Sequence, residues 1–250
     1  MTGRFVEVVP GAYVATSRRM TTTSTLLVTG DASVLVDPAW LRDELDAIAE
    51  ELEARGVAVT AGFSTHAHHD HLLWHPRYGD VPRWAAPKAA ALAVSEETGL
   101  REELGGDYPD EVLALFAKVT PLPGDVVPGT ELEVAVHDGH APGHAALLDP
   151  RSGVLVAGDM LSDVELPLPF WPDDLPAYVE GLDQLEPYVA RASVLVPGHG
   201  TPSYAPIERL DADRRYLDDV MSGRVPDDPR MGNEGMEETY EHLVRMVRGE

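Results

Sequence analysis

His66-Ala67-His68-His69-Asp70-His71 sets four imidazoles and a carboxylate within six consecutive residues. With ten histidines in 250 residues, a His-x-His-x-Asp-His pattern arises by chance with a probability on the order of 10⁻³. Side chains of an extended segment alternate, so His66 and His68 project to one side and both reach one ion. Asp70 and His71 begin the next turn and reach a second ion nearby. A solvated polar loop is the alternative reading. Imidazole with a few carboxylates is nevertheless the donor set of Zn²⁺, Fe or Mn, and the stretch predicts a metal site.

One such motif is short of donors for two metals, and three more lie where apolar runs end. Gly139-His140-Ala141-Pro142-Gly143-His144 stands between predicted strands that end at Val136 and begin at Ala145. Leu155-Val156-Ala157-Gly158-Asp159 puts a carboxylate just past a strand, and Val194-Leu195-Val196-Pro197-Gly198-His199 does the same with an imidazole. Donors on short Gly- or Pro-bearing turns at strand ends are positioned by a rigid scaffold.

The surrounding sequence alternates strand and helix signals. Phe5–Val9, Ala12–Ala15, Thr25–Val28 and Ser33–Val36 read as strands parted by turn residues, and Leu41–Arg55 has helical apolar spacing closed by Gly56. Val57–Thr65 reads as a further strand. In the second half Leu132–Val136, Ala145–Leu148, Val154–Ala157 and Ser193–Val196 read as strands, and Leu175–Val189, Ile207–Met221 and Met236–Val247 as helices. Strand clusters in each half predict sheets covered by helices on their outer faces. The absence of a linker predicts one domain over residues 1–250, with a helical C-terminal segment from about 206.

Composition narrows the partners. Forty-three acidic against 19 basic residues give a formal net charge of −24, which repels phosphate backbones and anionic lipid. The expected partner is a small-molecule substrate, with neither nucleic acid nor membrane; assembly into a homo-oligomer is left open. No cysteine is present, so disulfides, a thiolate nucleophile and Cys ligands are excluded. The start of the chain lacks the apolar stretch of a secretory signal, and a cytoplasmic location is expected.

Taken in order, His66-x-His68-x-Asp70-His71, Gly139-His-x-Pro-Gly-His144, Gly158-Asp159 and Pro197-Gly-His199-Gly resemble the metallo-β-lactamase superfamily. The resemblance implies a four-layer αβ/βα sandwich of two mixed β-sheets with the metals at their shared edge. It implies one metal on His66, His68 and His144, a second on Asp70, His71 and His199, and Asp159 bridging both. Two Zn²⁺ are expected, with Fe or Mn as alternatives. A hydroxide generated at neutral pH on such ions attacks a polarised carbonyl, with Asp70 orienting it and later passing the proton to the leaving group. The expectation is a hydrolase of a small ester, thioester, lactone or amide-like bond. The rivals are an iron-dependent oxidoreductase of the persulfide dioxygenase type and a non-catalytic ligand-binding member.

Neighbouring residues carry further expectations. His69 is read as solvated or supporting, His140 as bracing the loop of His144, and His137 and Asp138 as partners for a ligand imidazole. His242 is read as surface. Trp74, followed by His75, either narrows the pocket or packs in the core, and Phe170 and Trp171 either wall the substrate or simply pack. A true β-lactamase of this superfamily carries Cys or Ser where Asp159 stands. Glyoxalase II-like members follow the last histidine with an acidic residue, whereas Gly200-Thr201-Pro202 follows here. A lactonase- or thioesterase-like hydrolase is the expectation that remains.

Overall fold

Two tight turns in the first forty residues are closed by glycines in the left-handed region, Gly11 (φ +86°) and Gly30 (φ +62°), and hairpins form around them. The computed structural model describes residues 4–170 and 172–249. In it β1 (Val6–Val9), β2 (Ala12–Thr16), β3 (Thr23–Thr29) and β4 (Ala32–Val36) form an antiparallel meander. The short strands β5 (Ala61–Phe63), β6 (Arg83–Ala85) and β7 (Thr120–Pro121) add to it in parallel, giving a mixed sheet in the order β1 to β7. A second mixed sheet holds β8 (Glu133–His137), β9 (His144–Asp149), β10 (Val154–Gly158) and β11 (Val194–Pro197), in the order β11-β10-β9-β8 with only β10 and β11 parallel.

Strand alternation sorts the side chains into layers. Leu27, Val34 and Val36 of the first sheet share one buried cluster with Ala145, Leu147, Val154 and Val156 of the second, so the sheets pack face to face. Their alternating neighbours Leu26 and Leu35 turn outward onto Ile48, Ala49 and Leu52 of α1 (Arg42–Arg55). Ala146, Leu148 and Leu155 likewise turn onto α5 (Leu175–Val189) and α6 (Pro206–Met221) through Leu182, Leu185, Leu210 and Leu217. Helix, sheet, sheet, helix is the αβ/βα sandwich that the motifs imply.

Helix α1 is anchored at its start by Glu44. This buried carboxylate accepts from the Leu41 N–H (3.2 Å), the Ser17 hydroxyl (2.6 Å) and the Arg18 N–H (2.9 Å), and so ties the loop after β2 to the helix. Gly56 in the αL conformation ends it.

One sequence expectation changes here and two open points are decided. The strand expected over Val57–Thr65 shortens to β5, because the chain leaves the sheet at Ser64 to deliver the histidine motif. The stretch between the halves, not assigned from sequence, supplies β6, β7, α2 (Pro87–Ser95), α3 (Glu97–Leu104) and α4 (Asp110–Leu113). Trp74 is core: its ring lies against Gly62, its indole N–H donates to the Gly79 carbonyl (3.1 Å), and it belongs to the layer beneath α1. At the C-terminus α7 (Met236–Arg248) follows a 3₁₀ turn at Pro229–Gly232 and packs with α6 against the second sheet. No helix among the described residues is long and apolar enough to cross a membrane.

Candidate metal centre

Loops at the ends of β5, β8, β10 and β11 converge on one point. The loop after β5 brings His66, His68, Asp70 and His71; the turn between β8 and β9 brings His140; Asp159 follows β10 and His199 follows β11. Donor atoms of His66, His68, His140 and Asp159 lie within 4.8 Å of one another, as do those of Asp70, His71 and His199. Asp159 joins the two groups, with Oδ2 at 3.3 Å from His66 Nε2, 3.4 Å from His199 Nε2 and 3.6 Å from His140 Nε2. Its Oδ1 stands 3.2 Å from His71 Nε2. Asp70 Oδ2 lies 3.2 Å from His199 Nε2 and 3.3 Å from His71 Nε2.

Of the seven residues picked out from sequence, six enter this arrangement and His144 does not. His144 Nε2 accepts the Asp159 backbone N–H (3.0 Å), and its Nδ1 faces His137 Nε2 at 3.2 Å. With its inward lone pair already engaged, His144 sits behind Asp159 and fixes that residue's backbone. The histidine that reaches the cluster from this turn is His140, for which the sequence predicts a bracing role. The placement follows from the tight turn through Gly143 (φ +75°), which returns the chain into β9, where His144 is already a ladder residue opposite His137.

The outward nitrogens identify the tautomers. Nδ1 of His71 lies 3.0 Å from Asp37 Oδ2, Nδ1 of His140 lies 3.1 Å from the Leu168 carbonyl, and Nδ1 of His199 lies 3.0 Å from the Met20 carbonyl. These partners only accept, so each Nδ1 carries a proton and each Nε2 is the nitrogen turned to the cavity. His66 Nδ1 is 3.0 Å from the Thr65 hydroxyl, which itself donates to Asp37 Oδ2 (2.6 Å). His68 is reversed: its Nδ1 faces His66 Nε2 (2.9 Å) and His140 Nε2 (3.3 Å).

Asp37 is the supporting residue that sequence reasoning missed. It also accepts the Thr65 N–H (2.9 Å), so one buried carboxylate orients both ends of the histidine loop. Its signal was present, because Asp37 follows the Ser33–Val36 run just as Asp159 and His199 follow theirs.

Two glycines make the convergence possible. A Cβ on Gly198 would collide with Asp159 Oδ1, and one on Gly158 (φ +56°) with His144 Nε2. The Gly198 N–H also donates to the Gly158 carbonyl (2.6 Å), holding the two strand ends together.

The electrostatics divide the imidazoles. Burial pushes His68 and His144 well below the usual imidazole range and His140 down to about 3. Burial opposes ionisation of Asp70 and Asp159, yet His71 and His199 hold both carboxyls well below the usual range. Burial is likewise outweighed at His71 and His199, where Asp159 and Asp70 raise the imidazoles well above their ordinary value. Burial carries Glu165, 3.8 Å from His199 Nδ1, up to about 7.

The donors fit a pair of divalent cations. His71 Nε2 and Asp159 Oδ1 are buried without a well-directed hydrogen bond, although they face each other across the centre. Native proteins seldom leave such atoms orphaned unless an ion completes them.

Other singled-out residues fall around the rim. His69 meets Trp40 edge-on (5.1 Å between rings) and Glu103 (3.5 Å) and takes no part in the cluster. Phe170, 53% exposed, packs its ring 5.0 Å from that of His68 and lines the cavity; Trp171 lies outside the described residues. His137 backs His144, whereas Asp138 pairs with Lys88 and caps the Gly143 N–H (2.8 Å). His75 contacts Asp46 (3.3 Å) away from the site, and His242 contacts Asp173 (3.3 Å) at the surface.

The family model described as the metallo-beta-lactamase superfamily matches residues 18–199. Among solved structures, a metallo-beta-lactamase family protein from Thermus thermophilus, TTHA1429, superposes with a TM-score of 0.67 at 20% identity, over 97% of this chain and 95% of that one. TTHA1623, whose structure is described as a di-iron-bound form, gives 0.62 at 25% identity over 78% and 96%. The stereoselective inverting sec-alkylsulfatase Pisa1 from Pseudomonas sp. gives 0.71 at 17% identity over 97% of this chain and 50% of that one.

Proposed function

This chain belongs to the metallo-beta-lactamase superfamily, and from that premise we propose that it is a dinuclear metal-dependent hydrolase of a small-molecule ester, thioester, lactone or amide-like bond. The observation that carries the reading is the pair of adjoining donor groups joined by Asp159. In this proposal His66, His68 and His140 hold one cation, Asp70, His71 and His199 hold the other, and Asp159 is shared. Two divalent cations there would acidify a water to a pKa of about 7 and polarise a carbonyl.

The chain's own groups do the rest. Asp70 lines the cavity and presents its carboxylate between His71 and His199. From there it takes the proton of the attacking water and delivers it to the leaving group. Asp37, Leu168 and Met20 keep their imidazoles in the tautomer that offers Nε2 to the cavity. The walls of Trp40, Leu166 and Phe170 limit water around the reacting bond. Zinc is our first assignment. Iron is the second reading, supported by the description of TTHA1623 as di-iron-bound.

Metal quantification on freshly purified protein, coupled to a panel of esters, thioesters and lactones, tests the reading. Two equivalents of metal per chain with turnover of at least one class are expected. His140→Ala should drop the content toward one equivalent and abolish turnover. A single redox-active iron with oxygen consumption and no hydrolysis would favour the oxidoreductase reading instead. A fully metal-loaded protein inert across the panel would favour a binding role.

A further inference from the structure

The cavity over the cluster, about 280 Å³, is uneven in charge. Away from the proposed metal donors the apolar part of its wall is Met20, Trp40, Leu166, Leu168, Phe170 and Met236, with His69 and Thr239 as the neutral polar members. A second hollow of about 240 Å³ opens on the far side of His68 and Phe170. Outside the cluster, the charged side chains lining the first are Glu103 and Glu165, and those lining the second are Glu96 and Glu103. Among the described residues no Lys or Arg lines either one.

The apolar wall is firmly built. The Leu166 N–H lies 3.1 Å from Met236 Sδ, which pins α7 to the loop after β10. Buried Arg230 donates to the carbonyls of Ser162 (2.9 Å) and Glu165 (3.1 Å) and holds the same loop from behind. Met236 also lies beyond the residues 18–199 that the family model matches.

A volume near the low end of the range for small-molecule sites, about 300–1,000 Å³, suits one short substrate arm. Apolar walls favour an alkyl or aryl arm. A carboxylate, phosphate or sulfate on that arm would meet no lysine or arginine among the lining side chains and would lie beside Glu103 and Glu165, with Arg19 stacked outside on the Trp40 ring (4.2 Å); the repulsion lowers its affinity by about tenfold or more.

We infer that the substrate carries an uncharged apolar arm lying along Met20, Leu168 and Met236, and that substrates with an anionic group on that arm are rejected. For the reacting bond this rests on the hydrolase reading; for the arm it rests on the lining of the cavity.

The test uses the metal-loaded protein at about pH 8.5. Calorimetric titration compares hexanohydroxamate with the monohydroxamate of adipic acid, which differs in a terminal carboxylate. Hydrolysis of 4-nitrophenyl hexanoate is compared with that of mono-4-nitrophenyl adipate. The neutral member of each pair is expected to bind at least tenfold more tightly and to show at least tenfold higher kcat/KM. Met236→Lys, with folding checked by thermal melting, should narrow or invert both ratios, and Glu165→Gln should narrow them. Equal or tighter binding of the carboxylate-tailed hydroxamate would overturn the inference. So would no binding of either hydroxamate, or ratios unmoved by Met236→Lys. Discrimination between the hydroxamates without turnover of any ester, thioester, lactone or amide would uphold the arm and refute the hydrolase.

Discussion

Asp37 never faces the cavity, yet it holds Thr65 and His71 together from behind. Removing such a supporting carboxylate typically costs about 10–100-fold in metal affinity. Asp37→Ala should therefore keep its fold, by circular dichroism, and lose metal to a chelator at about 10–100-fold lower concentration than the unaltered protein. His140 and His144 offer a sharper contrast. If His140 is the donor and His144 the residue behind Asp159, His140→Ala loses a metal equivalent, whereas His144→Ala keeps both and loses activity only in part. Equal metal loss in the two variants would return His144 to the ligand set. Gly198→Ala tests the close approach: its Cβ must displace Asp159, so elemental analysis should find less than two equivalents in a protein that still folds.

At the scale of elements, the C-terminal helices are tied to the site by Arg230. This guanidinium, only 4% exposed, meets Asp213 of α6 at 2.6 Å and Asp228 at 2.8 Å while holding the loop after Asp159. Breaking a buried pair by removing one partner costs about 3–5 kcal/mol, because the other charge stays buried. Against a typical total of about 5–15 kcal/mol, that loss is large. Arg230→Met should lower the urea midpoint accordingly, and Arg230→Met combined with Asp213→Asn should recover part of it. No recovery in the double variant would mean that the carbonyl contacts, rather than the ion pair, carry the stability.

At the scale of the molecule, a net charge of −24 repels itself. Exposed pairs such as Arg191 with Glu133 and Arg214 with Asp183 contribute about 0–1 kcal/mol each, too little to offset a two-to-one excess of acid. Added salt screens the repulsion over about 10 Å at 0.1 M. The melting temperature should rise between about 20 mM and 500 mM NaCl, by about 2–4 °C for each 1 kcal/mol relieved in a chain of this size. A fall would show that attractive pairs dominate.

The local code carried much of this protein. Period-two apolar runs and glycine stops located nine of the strands, α1 and the three later helices, because each element's burial is written in its own alternation. The histidine motif and the donors at strand ends marked where a metal would sit, because chemistry of that kind needs rare residues at fixed spacing. The choice between His140 and His144 was not legible. Four residues apart in one turn, they differ only in which one the return into β9 turns toward the cluster. Nor was Asp37 legible as a partner of His71, 34 residues away. The same holds for Met236 as a wall of the cavity. Each is settled by packing between segments far apart in sequence, and a local pattern holds no record of which surface will arrive opposite it.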